Sequence, residues 1–404
     1  MNILFIHQNF PGQFLHLAPA LQARGHKVLA LTTEANQRPF PVRTLRYRSP
    51  AMPAQQGIGR TYAEMAERGL VAARACAQIA AQEGFVPDAI VGHSGWGETL
   101  FLRAVWPTAK ILTYAEFLYR ATGLDANFDP EFSRPALPAA LAVTARAAHL
   151  VQAMADTDAA LAPTEWQAAT FPLLLRQKIR VIHDGIDTDH VRPNPAAVLQ
   201  LPSGRTLCAG DEVLSFVNRN LEPYRGYHVF LRALPEVMAA RPDAQVVIVG
   251  GDGQSYGPAP ESGTWKQRFL DEVSGRVDPA RLHFLGRVPY PQFLALMQVT
   301  RVHAYLTYPF VLSWSMLEAM AAGALVVGSR TGPVEEVIRD GENGRLVDFF
   351  DVSGWSGALI RALSEPVPDE ALRRAARDTI VSRYDLRRIC LPAQIALVEG
   401  LGAA

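Results

Sequence analysis

Arg219 and Arg225 lie in VNRNLEPYRG (217–226), at the end of the apolar run VLSFVN. At the carboxyl end of a strand, two guanidinium groups can grip a diphosphate through charge-assisted hydrogen bonds. The plainer reading is a solvated basic loop. Glu318 raises a different question. It sits in SWSMLEAMAAG (313–323) among Met316, Leu317, Ala319, Met320, Ala321 and Ala322. A buried carboxylate without a partner is costly, so this one reaches solvent, accepts from a ligand diol, or pairs with a buried arginine. Ser313 is placed to cap the helix that carries it, and the first-turn amides of such a helix favour an anion.

Three further segments have the same flavour. His93 ends DAIVGH (88–93), where an imidazole can bond hydroxyls or move a proton, or simply serve the structure. Gly12 and Gln13 stand in NFPGQF (9–14), after the first apolar run and before a helix expected to start near Phe14. A glycine there lets backbone approach a ligand, and helix amides favour anions; an ordinary tight turn is the alternative. VIVGGDGQ (247–254) ends a strand in glycines, and Gly251 is where a nucleotide-type ligand would lie against the chain.

The elements that must hold these residues read clearly. Strand-like runs fall at 3–7, 27–32, 88–93, 110–114, 159–164 and 178–184, then at 213–218, 245–251, 282–286, 302–307 and 324–329. They are β-branched and apolar throughout, as parallel strands covered on both faces are. Helical patterns such as 61–84 and 227–242 lie between them. This alternation predicts an α/β chain with two Rossmann-like, doubly wound parallel sheets, whose ligands bind beyond the carboxyl strand ends. RPNPAAVLQLPSGRTLCAG (192–210) holds three prolines and no periodicity. It divides the chain into a domain over 1–195, a linker over 196–210, a domain over 211–382 and a helix within 383–404 that packs back toward the first domain.

Bulk properties narrow the partners. The chain has 404 residues, 49% of them hydrophobic, with 39 basic and 39 acidic side chains. Residues 1–200 carry 18 basic and 16 acidic groups, so neither half is a basic lobe suited to nucleic acid. Three scattered cysteines form neither a metal pattern nor a disulfide framework, which suits a reducing cytoplasm. MNILFIHQNF lacks the basic start and long apolar core of a secretory leader, and no apolar run reaches membrane-spanning length. RPFPVRTLRYRSP (38–50) mixes four arginines with two aromatic rings. It reads as a solvated loop, with a peripheral membrane contact as the other reading.

Taken in order and at these spacings, the segments resemble the retaining GT-B glycosyltransferases of family 4, in which the two domains face a cleft. HDGIDTDHVRPNP, FLGRVPYPQF and LEAMAAGALVVGSRTGPVEEVI carry the likeness together with the two arginines. The resemblance implies transfer of a sugar from a nucleotide diphosphate, UDP or GDP in type, to a hydroxyl of a carbohydrate, lipid-linked or small-molecule acceptor. It implies no cofactor, and no Asp-x-Asp motif points to a metal. Glu318 would take the ribose hydroxyls, Arg219 and Arg225 the diphosphate, and Gly12 and Gln13 the phosphates as well. Arg287 and Val288 would meet the base, Gly251 the nucleotide, and His93 the transferred sugar. Phe310, Val311, Leu312 and Ser313 would line the donor.

One departure stands out. The family's first signature glutamate, eight positions before the second, is here Phe310. An apolar ring cannot accept from sugar hydroxyls, which predicts a donor other than plain UDP-glucose. It also keeps two rival readings open: a non-catalytic nucleotide-sugar module, and a sugar-nucleotide epimerase of the same architecture.

Overall fold

Residues 3–6 are wholly buried and divide their side chains by parity. Ile3 and Phe5 join one apolar cluster, Leu4 and Ile6 another. Successive strand side chains point to opposite faces, so a strand with both parities buried lies inside a covered sheet. The computed structural model, which describes residues 1–50, 56–364 and 366–402, bears this out. Its first sheet comprises β1 (Asn2–Ile6), β2 (Lys27–Thr33), β3 (Thr44–Tyr47), β4 (Ala89–His93), β5 (Lys110–Tyr114), β6 (Ala159–Ala162) and β7 (Ile179–Val181). These seven strands are parallel, in the order β3-β2-β1-β4-β5-β6-β7.

A two-stranded antiparallel hairpin follows, β8 (Val198–Gln200) with β9 (Thr206–Cys208). The second large sheet comprises β10 (Val213–Asn220), β11 (Gln245–Gly251), β12 (Leu282–Gly286), β13 (Val302–Tyr305), β14 (Leu325–Ser329) and β15 (Arg345–Val347). It too is parallel, ordered β12-β11-β10-β13-β14-β15. The chain divides into two compact units, Met1–Gly185 with Arg387–Ala404, and Ile186–Leu386. In the first unit, Val398 and Leu401 of the helix Leu391–Leu401 join the apolar cluster that also holds Leu17 and Leu21.

Each sheet reverses its strand order once, in the first unit between β1 and β4, in the second between β10 and β13. Ligands of open α/β sheets bind at the carboxyl side of such a switch point.

Three expectations need correction. The stretch 196–210 is not a linker: it contains the β8–β9 hairpin, and Leu199, Leu201 and Leu207 are buried in the second unit's core. Strands of three residues are too short to show a period of two. Residues 44–47, read as loop, form the edge strand β3. In the same segment Arg43 forms an ion pair with Glu83, and Arg46 donates to the Asn36 carbonyl. The α-helix expected near Phe14 starts at Leu17, because Gly12–Phe14 is a separate 3-10 turn.

Candidate functional site

In the second unit the switch point gathers most of the residues singled out from the sequence. Arg225 follows β10 and is buried at 5% exposure. Its Nη1 donates to Thr307 Oγ1 at 2.7 Å and to the Val311 carbonyl at 2.9 Å. One arginine thus ties the loop after β10 to the loop after β13. Its guanidinium carbon lies 5.2 Å from the Tyr256 ring centroid and 5.7 Å from that of Phe310. Arg225 is therefore no solvated loop residue. Arg219, the next-to-last residue of β10, is exposed and makes no hydrogen bond or ion pair among the described residues.

Phe310 is 3% exposed. Tyr224 packs edge-on against it at 5.4 Å and Tyr256 at 4.8 Å. Its side chain is thus withdrawn into an aromatic box around Arg225, which corrects the expectation that this ring lines the donor sugar. Tyr256 is held over the box by Glu222, a fully buried carboxylate. Its Oε2 accepts the amides of Ser255, Tyr256 and Gly257 at 3.2–3.3 Å.

Gly251 ends β11 where a side chain has no room: an added Cβ would lie 2.6 Å from Asn220 Oδ1 and 2.9 Å from Arg287 Nε. Those two atoms belong to one link, since Arg287 Nη2 donates to Asn220 Oδ1 at 3.1 Å. Val288 is half-buried and packs on the core, as does Leu312.

Ser313 caps the helix Trp314–Ala322 as its sequence indicates, its Oγ accepting from the Ser315 amide at 3.4 Å. Its own amide donates to the Tyr305 hydroxyl at 2.8 Å. Glu318, in the second turn, is half-buried and has a protein partner: the Tyr290 hydroxyl donates to Oε1 at 2.8 Å. Burial pushes its carboxyl up to about 7, and the Tyr290 bond only partly offsets this. The partner is neither a buried arginine nor solvent alone.

In the first unit His93 ends β4 and is buried at 2% exposure. Its ring stacks on Tyr114 at 5.3 Å and lies 5.6 Å from Trp96. Nδ1 accepts the Gly95 amide at 2.9 Å, so the neutral ring carries its proton on Nε2. His7, one residue past β1, repeats this arrangement with the Asn9 amide at 2.9 Å, and the two imidazoles meet edge-on at 5.6 Å. Burial, then the neighbouring His93, lowers His7 to about 3, which keeps it neutral. Gly12 backs this ring with a φ of +50°, and a Cβ there would lie 2.9 Å from His7 Nε2. Gln13 Nε2 donates to Glu116 Oε1 at 3.4 Å.

The structure thus joins Arg225 with Val311, and Gly251 with Arg287, while Gly12 and Gln13 lie close to His7 and Glu116 respectively. It adds residues that sequence reasoning missed: Asn220, Glu222, Tyr256 and Tyr290 in one unit, His7 and Glu116 in the other. His7 and Glu116 carried a readable signal, since each is a polar residue just past an apolar strand. Tyr290 had none, because its partner lies 28 residues away.

Comparison with known proteins agrees with this layout. The model of the glycosyl transferase family 4 group matches residues 24–191, and that of glycosyl transferases group 1 matches residues 206–379. A D-inositol 3-phosphate glycosyltransferase of Acidothermus cellulolyticus is 29% identical over 212 residues, 52% of this chain and 45% of that protein. A phosphatidyl-myo-inositol mannosyltransferase of Mycobacterium tuberculosis is 34% identical over 174 residues, 42% of each. The aligned region thus spans about half the length of these curated relatives. Among solved structures, sucrose-phosphate synthase from Thermosynechococcus elongatus superposes with a TM-score of 0.73 at 18% identity. HepE from Anabaena, solved with UDP and glucose, gives 0.66 at 15% identity, and both comparisons cover all of each chain. With two parallel Rossmann-like sheets and matches to both family models over most of its length, the chain has the GT-B fold and belongs to the family 4, group 1 glycosyltransferases.

Proposed function

We propose that this chain moves a hexosyl group from a nucleoside diphosphate sugar, UDP or GDP in type, to an acceptor hydroxyl, with retention of anomeric configuration and without a metal ion. The observation that carries the reading is Glu318. A half-buried carboxylate sits on a Ser313-capped helix inside the segment matched by the group 1 family. Burial raises its pKa to about 7 although Tyr290 already donates to it. Further donors, such as ribose hydroxyls, would relieve that burden.

The rest of the site fits this assignment. Negative charge grows on the diphosphate as the glycosidic bond breaks. Arg219 is exposed and able to meet it, while Arg225 holds together the two loops at the switch point. A single preorganised donor of this kind contributes roughly 3 kcal/mol at a transition state. HepE was solved with UDP and glucose, which supports a UDP-type donor, and the curated relatives' names support a cyclitol or other polyhydroxylated acceptor.

A thermal-shift screen against UDP, GDP, ADP and dTDP, followed by incubation with the matching hexose donors, tests the reading. A ligand that binds only the folded state raises its stability. Proton NMR of the product reports the anomeric outcome, and activity retained in EDTA checks metal independence. If no nucleotide raises the melting temperature, the reading fails. A second reading, a binding module without turnover, is favoured by Phe310, whose withdrawn ring leaves no acidic group at that position. Strong nucleotide binding without sugar release or transfer would select it.

A further inference from the structure

Glu318 accepts one hydrogen bond among the described residues, from the Tyr290 hydroxyl to Oε1 at 2.8 Å. A carboxylate has about four lone-pair sites on its two oxygens, so Oε2 and half of Oε1 stay open. No charged side chain takes them up: besides burial, the Tyr290 bond is what acts on this carboxyl. Arg377 reaches the same helix, but it donates to the carbonyls of Ala321, Val191 and Thr188.

The Tyr290 hydroxyl comes from a fixed scaffold. Tyr290 is the first residue of the helix Tyr290–Val299, and Pro289 before it restricts the entry of the chain. Its ring lies 5.7 Å from Phe293, one turn further on, and faces His190 at 6.3 Å with 24° between the planes. Three residues earlier Arg287 is tied to Asn220, the last residue of β10, at 3.1 Å. The stretch 287–290 is thus pinned at both ends, once to β10 and once to Glu318. Burial, then the Glu318 charge, pushes the Tyr290 hydroxyl further up, so it remains a donor wherever the protein works. The ring is nonetheless 47% exposed. It stands at the surface beside open acceptor sites, where a ligand can reach the carboxylate it holds. A glutamate left alone would sample several rotamers, and ordering it would be charged against binding; the Tyr290 bond orders it beforehand.

We propose that Tyr290 is a positioning residue for the donor's ribose: its hydroxyl holds Glu318 so that Oε2 and the second lone pair of Oε1 face a vicinal diol. This role rests on the nucleotide-sugar reading above and deepens it. Two neighbouring uncharged hydroxyls are recognised by one oriented pair of acceptor oxygens, which separates a ribonucleotide from its 2′-deoxy form. Tyr290 touches no phosphate in this arrangement. It therefore governs how tightly the donor is held and not how fast the glycosidic bond breaks.

The test uses the full chain. Titration calorimetry with UDP and GDP identifies the tighter nucleotide, and the same nucleotide in its 2′-deoxy form is the comparison. Tyr290→Phe removes one oxygen from an exposed ring, so the fold is expected to survive. It should weaken the ribonucleotide about tenfold, as loss of one bond to a charged acceptor does, but the 2′-deoxy form less than threefold. In turnover with the matching hexose donor, KM rises about tenfold and kcat stays within threefold. Ribonucleotide affinity within twofold of the wild type overturns the role while the nucleotide-sugar reading stands. Equal weakening of both nucleotides overturns it too, since Tyr290 would then only support the surrounding structure. If wild type binds neither UDP nor GDP, the nucleotide-sugar reading falls and this role with it.

Discussion

Replacing Glu318 by Gln should stabilise the ligand-free protein at pH 8 while weakening its hold on nucleotide. The folded-state pKa of about 7 lies above the ordinary 4.5, so the folded chain binds this proton more tightly than the unfolded one. The unfavourable contribution of the ionised carboxylate is thus absent below about pH 4.5, grows as pH rises, and is complete somewhat above pH 7. A shift of that size corresponds to about 3 kcal/mol as an upper bound. Partial exposure screens the charge, and half that figure is the working expectation. Gln keeps an acceptor for the Tyr290 hydroxyl, so that bond survives. At 2–4 °C per kcal/mol for a unit of this size, Glu318→Gln should melt about 3–6 °C higher than wild type at pH 8. At pH 4.5 the two should melt together. Scanning calorimetry across pH 4.5–8.5 measures the difference, and titration calorimetry with UDP or GDP measures the weakened affinity. A melting difference that stays flat across this pH range would refute the burial argument, and unchanged nucleotide affinity would remove Glu318 from the ribose.

The remaining residues separate structure from chemistry. Arg219→Ala removes an exposed side chain that has no hydrogen-bond or ion-pair partner among the described residues, so stability should stay within about 0.5 kcal/mol while kcat falls at least tenfold; wild-type turnover would return it to solvent. Arg225→Ala strips Thr307 and Val311 of a buried donor and should cost about 3 kcal/mol by denaturant titration, as well as activity. Phe310→Ala opens a cavity in the aromatic box and should cost about 3–5 kcal/mol, whereas a ring lining a solvent-filled sugar site would cost far less. Gly12→Ala forces a left-handed backbone position and a clash with His7; a loss of about 1–3 kcal/mol in thermal unfolding checks it.

The long strands were legible because continuous apolar runs are what two-sided burial demands, and β1, β10 and β11 show it plainly. The failures share a cause. β3, β8, β9 and β15 have three or four residues each, and their pairing is set by neighbours distant in sequence. Proline marked 192–210 as a boundary, although Leu199 and Leu207 face each other across a hairpin there. At the site, position and local capping were readable: Ser313 heads its helix and Glu318 follows in the second turn. Partners were not. Glu318 meets Tyr290, Arg225 meets Thr307, and Glu116 meets Gln13, 28, 82 and 103 residues apart respectively. Phe310 shows the limit most sharply, since its identity signalled a lost hydrogen-bond acceptor but only packing reveals that the ring turns inward.

The first unit's assembly order follows from its composition in two segments. Its sheet is complete by Gly185, yet the helix that covers Leu17 and Leu21 belongs to Arg387–Ala404, made roughly 200 residues later. At about 5–20 residues per second, a ribosome needs roughly 10–40 s to cross that gap. Throughout it an apolar face of the nascent first unit stays uncovered, while all of Ile186–Leu386 emerges and is free to fold. The second unit, one continuous segment, needs no distant stretch of chain to complete its core, although it is synthesised after most of the first. A released chain truncated after residue 386 should present a folded second unit, and a first unit that binds chaperones through that open face.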